Sequence, residues 1–220
     1  MDESRIARLF PVEVAVCVAD RAMYRESPHP EEATAVAGAV AKRRAEFAAG
    51  RAAARRALTR LGGPAVPLPR SERRGPVWPR GFIGSIAHCA GFCAAVVAAT
   101  GAARSLGFDA EIGTPLDDEL TPIVCSPEEM ADCSHLPSPM TSDWPKLAFS
   151  AKESIYKCVD PVRREFLDFL DVRVRFGIDA SRSHGTFEVA PLRSDLIVPV
   201  IGRWAVDAER VYAGACWPRH

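Results

Sequence analysis

Apolar positions recur in different rhythms along the chain, and each rhythm predicts a different element. Val12 to Val18 (VEVAVCV) alternates or runs apolar and predicts a first strand; 21–31, broken by Pro28 and Pro30, is a loop. From about Thr34 to Leu61 the pattern is helical and rich in alanine. At about 100° per residue, Val36, Val40, Phe47, Ala54, Leu58 and Leu61 fall within a stripe of roughly 60°, the expected buried face. Arg43 lies inside that stripe and Arg51 at its edge, while Arg44 and Arg55 point farther round. A guanidinium on a core-facing position needs an anion, which is either an internal carboxylate such as Glu46 or a ligand phosphate. Gly50 is a candidate break in this helix.

Residues 62–81 form a long Pro- and Gly-rich connection with a basic turn at Ser71 to Gly75. Phe82 to Ala87 and Cys93 to Ala99 then predict adjacent strands, with Gly84, Ser85 and His88 at the turn between apolar segments. Ser105 to Ile112 is the next strand. Its period of two places Asp109 and Glu111 on one face and Phe108 and Ala110 on the other, and Gly107 marks close approach of another backbone or a ligand. Ser126-Pro127-Glu128-Glu129 opens a short helix through a capping box. A longer helix runs from about Ser142 to Val159. Within it, Phe149 to Lys157 (FSAKESIYK) reads as opening turns, with a second capping box at Ser150 and Glu153 and an i,i+4 pair at Glu153 and Lys157. Beyond Pro161, Leu167 to Phe176, Gly185 to Val189, Arg203 to Val206 and Val211 to Cys216 predict strands. The class is mixed α/β (α+β).

Composition narrows the setting. A hydrophobic content of 48% supports a core, and seven cysteines without a C-x-x-C pair point to reduced thiols and a cytoplasmic protein. The N-terminus has no signal-peptide pattern, and no apolar run is long enough to span a bilayer. The zero net charge divides into 16 Lys+Arg against 9 Asp+Glu in residues 1–105, a balance of +7, and a balance of −7 in 106–220. Such a split suits a cleft for a phosphorylated ligand and a divalent metal, and equally two unrelated solvated surfaces. Neither the group His88, Cys89 and Cys93 nor the group Cys125, Cys133 and His135 has a fourth zinc ligand at a usual spacing.

Asp109, Glu111 and Glu153 are three oxygen donors suited to a hard cation such as Mg²⁺. Arg43, Arg51, Arg73, Lys152 and Lys157 would then bind phosphates. The segments Gly107-Phe108-Asp109-Ala110-Glu111 and Phe149 to Lys157 resemble the two signature motifs of Sfp-type 4'-phosphopantetheinyl transferases. The EntD-like branch is matched further by Lys42-Arg43-Arg44 with Glu46-Phe47 and Arg51, by the Arg73/Arg74 loop ending Val77-Trp78-Pro79, by Gly84-Ser85-Ile86-Ala87-His88-Cys89, and by Gly202-Arg203-Trp204.

The resemblance implies two pseudo-symmetric α/β halves with the active site in the cleft between them: a basic half, 1–105, for the coenzyme A nucleotide and an acidic half, 106–220, for metal and catalysis. It implies transfer of the phosphopantetheine arm of coenzyme A to a serine of acyl, peptidyl or aryl carrier proteins of polyketide, peptide or siderophore assembly. Asp109, Ala110, Glu111 and Glu153 would hold Mg²⁺, with Mn²⁺ a substitute. Arg43, Arg51, Arg73, Arg74, Ala87, His88, Asp109, Lys152 and Lys157 would bind coenzyme A, and Glu153, Lys157 and Lys152 would be catalytic. A monomer would suffice, without nucleic acid or membrane. The alternative, a non-catalytic nucleotide- or nucleic-acid-binding module, has no need of the carboxylates. The chain departs from its relatives at Cys158-Val159-Asp160-Pro161, where many carry an aromatic residue before the proline, and Arg163 to Leu167 is the expected carrier contact.

Overall fold

The computed structural model describes residues 2–192 and 198–219. In chain order the elements are α1 (Glu3–Ala7), β1 (Ala15–Val18), α2 (Pro30–Ala33), α3 (Ala41–Arg60), β2 (Phe82–Cys89), β3 (Phe92–Ala99), β4 (Ala103–Ile112), α4 (Thr121–Val124), α5 (Pro127–Ser134), α6 (Trp144–Arg163), β5 (Val172–Ile178), β6 (His184–Pro191), β7 (Ile201–Val206) and β8 (Arg210–Pro218). Among the described residues the strands form two antiparallel sheets, ordered β1-β3-β2 and β4-β8-β7-β6-β5.

Strand periodicity explains how these parts stack. On the first sheet Ala15, Cys17, Ala95 and Val97 turn toward α3, while Val16, Ala94, Val96 and Ala98 turn toward the second sheet. On the second sheet Leu106, Phe108, Ala110, Tyr212 and Cys216 meet that face, and Val211, Ala213, Ala215 and Trp217 pack with α6. The layers are therefore α3, sheet, sheet, α6. Burial on both faces is why β3 reads as an unbroken apolar run. Each sheet carries a 20-residue helix on its outer face, but the sheets differ in size, three strands against five.

The ends of the elements correct several expectations. α3 starts at Ala41, and Val40 is its N-cap with 72% of its surface exposed, so Val36 and Val40 do not belong to the helical stripe. The buried face is built from Ala48, Ala49, Ala52, Ala53, Ala57 and Leu58. Gly50 does not break the helix. A Cβ there would lie 2.9 Å from Ile86 and 3.2 Å from Cys93, so glycine lets α3 lie close on the sheet. Gly84, Ser85 and His88 lie inside β2, and the turn falls beyond it, at Ala90 and Gly91, where Gly91 takes φ +71°. α5 has the expected Ser126/Glu129 capping box.

α6 is capped by Asp143, whose side chain accepts from the Lys146 amide at 2.8 Å, and it runs through Pro161 to end at Arg164 in the left-handed region. Ser150 therefore sits in the second turn, not at the start, and the Ser150/Glu153 capping box does not form. Gly107 does mark a close backbone approach. A Cβ there would stand 1.8 Å from the Ser154 carbonyl oxygen and 2.8 Å from the Cys158 amide. We expect Gly107→Ala to force α6 off β4 and lower stability by about 3 kcal/mol or more, read by urea unfolding. An unchanged midpoint would show that the contact gives way easily.

Candidate active site

The layering brings β2 of the first sheet and β4 of the second together at one edge. Ser85 Oγ joins them, accepting from the Phe108 amide at 3.0 Å and donating to the Phe108 carbonyl at 3.4 Å. Just beyond this joint Asp109, 4% exposed, turns its carboxylate toward α6. Its Oδ1 accepts from Lys157 Nζ at 2.6 Å, and its Oδ2 accepts from Ser150 Oγ at 2.9 Å.

Helical spacing selects what α6 presents here. Lys146, Ser150, Glu153 and Lys157 fall within roughly 60° of one another on a 3.6-residue turn. Burial first, and then the Asp109 charge, push the Glu111 carboxyl up to about 7, against the opposing pull of Lys146 and Lys157. Burial, reinforced by Asp109, also raises Glu153, which Lys157 draws down. Burial opposes the charge on Lys157, but Asp109, Glu153 and Glu111 outweigh it and raise its pKa. The three carboxylates thus feel one another, with lysine the neighbouring cation. Ala110 is buried between the sheets, so only its backbone could serve this site.

On the α3 side His88, in β2, meets Arg43, whose Nη1 hydrogen-bonds His88 Nε2. Arg43 also pairs loosely with Glu46 at 3.8 Å. Desolvation of the ring, then the Arg43 guanidinium, lower the His88 pKa, so the ring is a neutral acceptor. Ala87, beside it, points into the core between the sheets.

The order of burial on α3 is the reverse of the expected one. Arg43 is exposed, whereas Arg51 is only 5% exposed. Arg51 donates from Nε to the Leu68 carbonyl at 2.7 Å and stacks 4.6 Å from the Phe47 ring centroid. Among the described residues no carboxylate lies within ion-pair distance of it. Burial lowers its pKa to about 10, with Glu32 opposing.

Lys152 does not join the cluster. It is 2% exposed, and its ammonium donates to Glu129 at 2.8 Å, the Val124 carbonyl at 2.8 Å and the Phe169 carbonyl at 2.9 Å. All three donor positions are taken by protein, so the expected phosphate contact is corrected to a clamp holding α6 against α4 and α5. Arg73 is likewise engaged, by Asp160 of α6, while Arg74 is exposed with φ +70°. Sequence reasoning placed Ser150 and Ser85 within matched motifs without a role at this site, and it missed Lys146 and the pairing of Asp160. Helical spacing from Glu153 would have put Ser150 and Lys146 on its face.

Among the described residues no three His, Cys, Asp or Glu side chains converge at metal-ligating spacing. The donor chemistry still fits a hard divalent cation: all-oxygen ligands, mutual repulsion, and an elevated Glu111 that a positive charge would relieve. All seven cysteines are free thiols.

Residues 31–98 match the family model of the 4'-phosphopantetheinyl transferase N-terminal domain, and residues 105–198 match that of the 4'-phosphopantetheinyl transferase superfamily. The chain is 34% identical over 212 residues to the 4'-phosphopantetheinyl transferase PptT of Mycobacterium tuberculosis, covering 92% of this chain and 93% of the relative. The chain belongs to the 4'-phosphopantetheinyl transferase superfamily. The transferase is also 42% identical over 179 residues to Svp of Streptomyces mobaraensis, covering 81% of this chain and 70% of that one. Enterobactin synthase component D of Salmonella typhi is 41% identical over 120 residues, 53% of this chain and 48% of its own. These matches give no support to a non-catalytic nucleotide- or nucleic-acid-binding module. No described helix of the transferase is long and apolar enough to cross a membrane.

Proposed function

We propose that this transferase moves the phosphopantetheine arm of coenzyme A onto a serine hydroxyl of an acyl, peptidyl or aryl carrier protein and releases adenosine 3',5'-bisphosphate. The observation that carries the proposal is the meeting of β4 and α6, where Asp109 accepts from Lys157 and the Glu111 and Glu153 carboxyls lie near enough to feel both charges, in a chain of this family. Asp109, Glu111 and Glu153 would hold Mg²⁺, or Mn²⁺ in its place, with the Ala110 backbone beside them. That ion would supply Lewis-acid neutralisation of charge on the pyrophosphate. We assign residues 1–105 to the coenzyme A nucleotide and 106–220 to catalysis, a division that the two family matches support by falling on either side of it. The protein would act in the cytoplasm as a monomer.

The donor is a polyanion, and the basic half offers cations for it. Arg51 is a buried guanidinium without a carboxylate partner among the described residues, which suits a phosphate group. Arg43, its orientation fixed by the neutral His88, and the exposed Arg74 add further positive charge. Glu153 takes the proton of the attacking serine hydroxyl as the new P–O bond forms and the bond to the bisphosphate breaks. Lys157 neutralises the departing phosphate.

Intact-mass spectrometry tests the reading. With coenzyme A, Mg²⁺ and a panel of apo carrier proteins, at least one carrier should gain one phosphopantetheine mass. A panel without any mass gain would overturn it.

A further inference from the structure

Gly107, Asp109 and Glu111 lie on one face of β4, the face whose β8 partners Ala215, Ala213 and Val211 pack with α6. The helix crosses that face with its sequence running the opposite way. Gly107 meets Ser154, whose carbonyl oxygen would stand 1.8 Å from a Cβ there. Two residues on in the strand, Asp109 meets Ser150, four residues back in the helix. The match follows from the two repeats, because two strand residues advance about 6.8 Å and four helix residues about 6 Å. One further step brings Glu111 to the level of Lys146, whose charge it feels. The carboxylates of β4 are therefore in register with particular side chains of α6.

Ser150 is fully buried, and its hydroxyl proton goes to Asp109 Oδ2 at 2.9 Å. A helical serine commonly bonds back within its own helix, as Ser154 does to the Ala151 carbonyl at 2.7 Å. Ser150 reaches across to the sheet instead. The other oxygen of Asp109, Oδ1, accepts from Lys157 at 2.6 Å. The two partners differ in what else they can do. Lys157 keeps 28% of its side chain exposed and carries the charge assigned above to the departing phosphate. Ser150 is neutral and enclosed, so it can hold Asp109 whether Lys157 faces the carboxylate or the phosphate.

We propose that Ser150 is the positioning residue for Asp109: its hydroxyl fixes Oδ2 and keeps Oδ1 as the oxygen available to Lys157 or to the divalent cation that Asp109, Glu111 and Glu153 would hold. Ser150 touches neither the ion nor the donor and acts through Asp109 alone. The inference rests on the transferase reading for its kinetic consequence, but its first test needs only the ion.

That first arm titrates the full chain with Mn²⁺ alone, following the free ion by its electron paramagnetic resonance signal. Ser150→Ala should weaken binding by about tenfold or more, the range for removing a hydrogen bond that orients a metal-binding carboxylate. Ser150→Cys, close in volume but a weaker donor, should fall between alanine and the wild type, and it carries the test if Ser150→Ala does not fold. A wild type that binds no Mn²⁺ would overturn the inference. So would variants that bind Mn²⁺ as tightly as the wild type, whatever their urea midpoint, since a merely structural hydroxyl moves the midpoint alone.

The second arm uses the carrier that gains mass. In Ser150→Ala the Mg²⁺ concentration for half-maximal transfer should rise by about tenfold, and excess Mg²⁺ should bring kcat back to within about threefold of the wild type. A loss of kcat that no Mg²⁺ concentration restores would give Ser150 a part in the chemistry itself and overturn a role through Asp109 alone. If no carrier gains mass, the transferase reading fails, but weaker Mn²⁺ binding would still establish that Ser150 positions Asp109.

Discussion

Lys152→Met lowers the stability of this protein by roughly 3–5 kcal/mol, the cost of leaving one member of a buried ion pair uncompensated. Small domains are stable by only about 5–15 kcal/mol, so the variant should unfold at far lower urea than the wild type. Three things set the size of the effect. The ammonium is 2% exposed, and all three of its hydrogens go to protein oxygens. Glu129, 2% exposed, loses its ion-pair partner when the lysine is gone, while its other oxygen holds the Val174 amide at 2.7 Å. Four segments thus share one network: α4 through Val124, α5 through Glu129, β5 through Val174 and the turn at Phe169. Methionine fills the space of the side chain but offers no donor. A Lys152→Met protein with the wild-type urea midpoint and a higher KM for coenzyme A would return Lys152 to the phosphates and overturn the clamp.

Lys152 also shows how much of the site could be read in advance. The motif places it beside Glu153, and neighbours in sequence look like neighbours in function. On a helix they are not: Lys152 lies about 100° round from Glu153, and Ser150 and Lys157 share the Glu153 face. The face of β4 was legible because strand alternation has no ambiguity once Gly107 and Asp109 are on one side. The face of α3 was not. Its buried side is nearly all alanine, small enough to bring the helix down on Ile86 and Cys93, and alanine carries little information about direction. Including Val36 and Val40 in the stripe then rotated the reading and exchanged the burial of Arg43 and Arg51. The pairs that join distant segments were illegible in principle. Ser85 with Phe108, Arg73 with Asp160 and Lys152 with Glu129 are 23, 87 and 23 residues apart, and no local periodicity predicts them.

Those long-range pairs leave Glu153 as the α6 carboxylate that faces Asp109 and Glu111 without an ion-pair partner of its own among the described residues. Glu153→Gln is accordingly expected to lose about 10²–10⁴ of the single-turnover transfer rate, the range for removal of a general base. The amide has nearly the same volume, and its neutrality removes a charge that burial already disfavours. The urea midpoint should therefore hold or rise slightly, separating the catalytic loss from unfolding. The pH profile gives an independent check. Burial raises the Glu153 pKa, so the wild-type rate should fall toward acid pH as the base takes up its proton. In Glu153→Gln the residual rate should lose that part of its acid dependence. A variant that keeps the transfer rate within about tenfold of the wild type, with the same acid limb, would move the base elsewhere and leave Glu153 an electrostatic role beside Lys157.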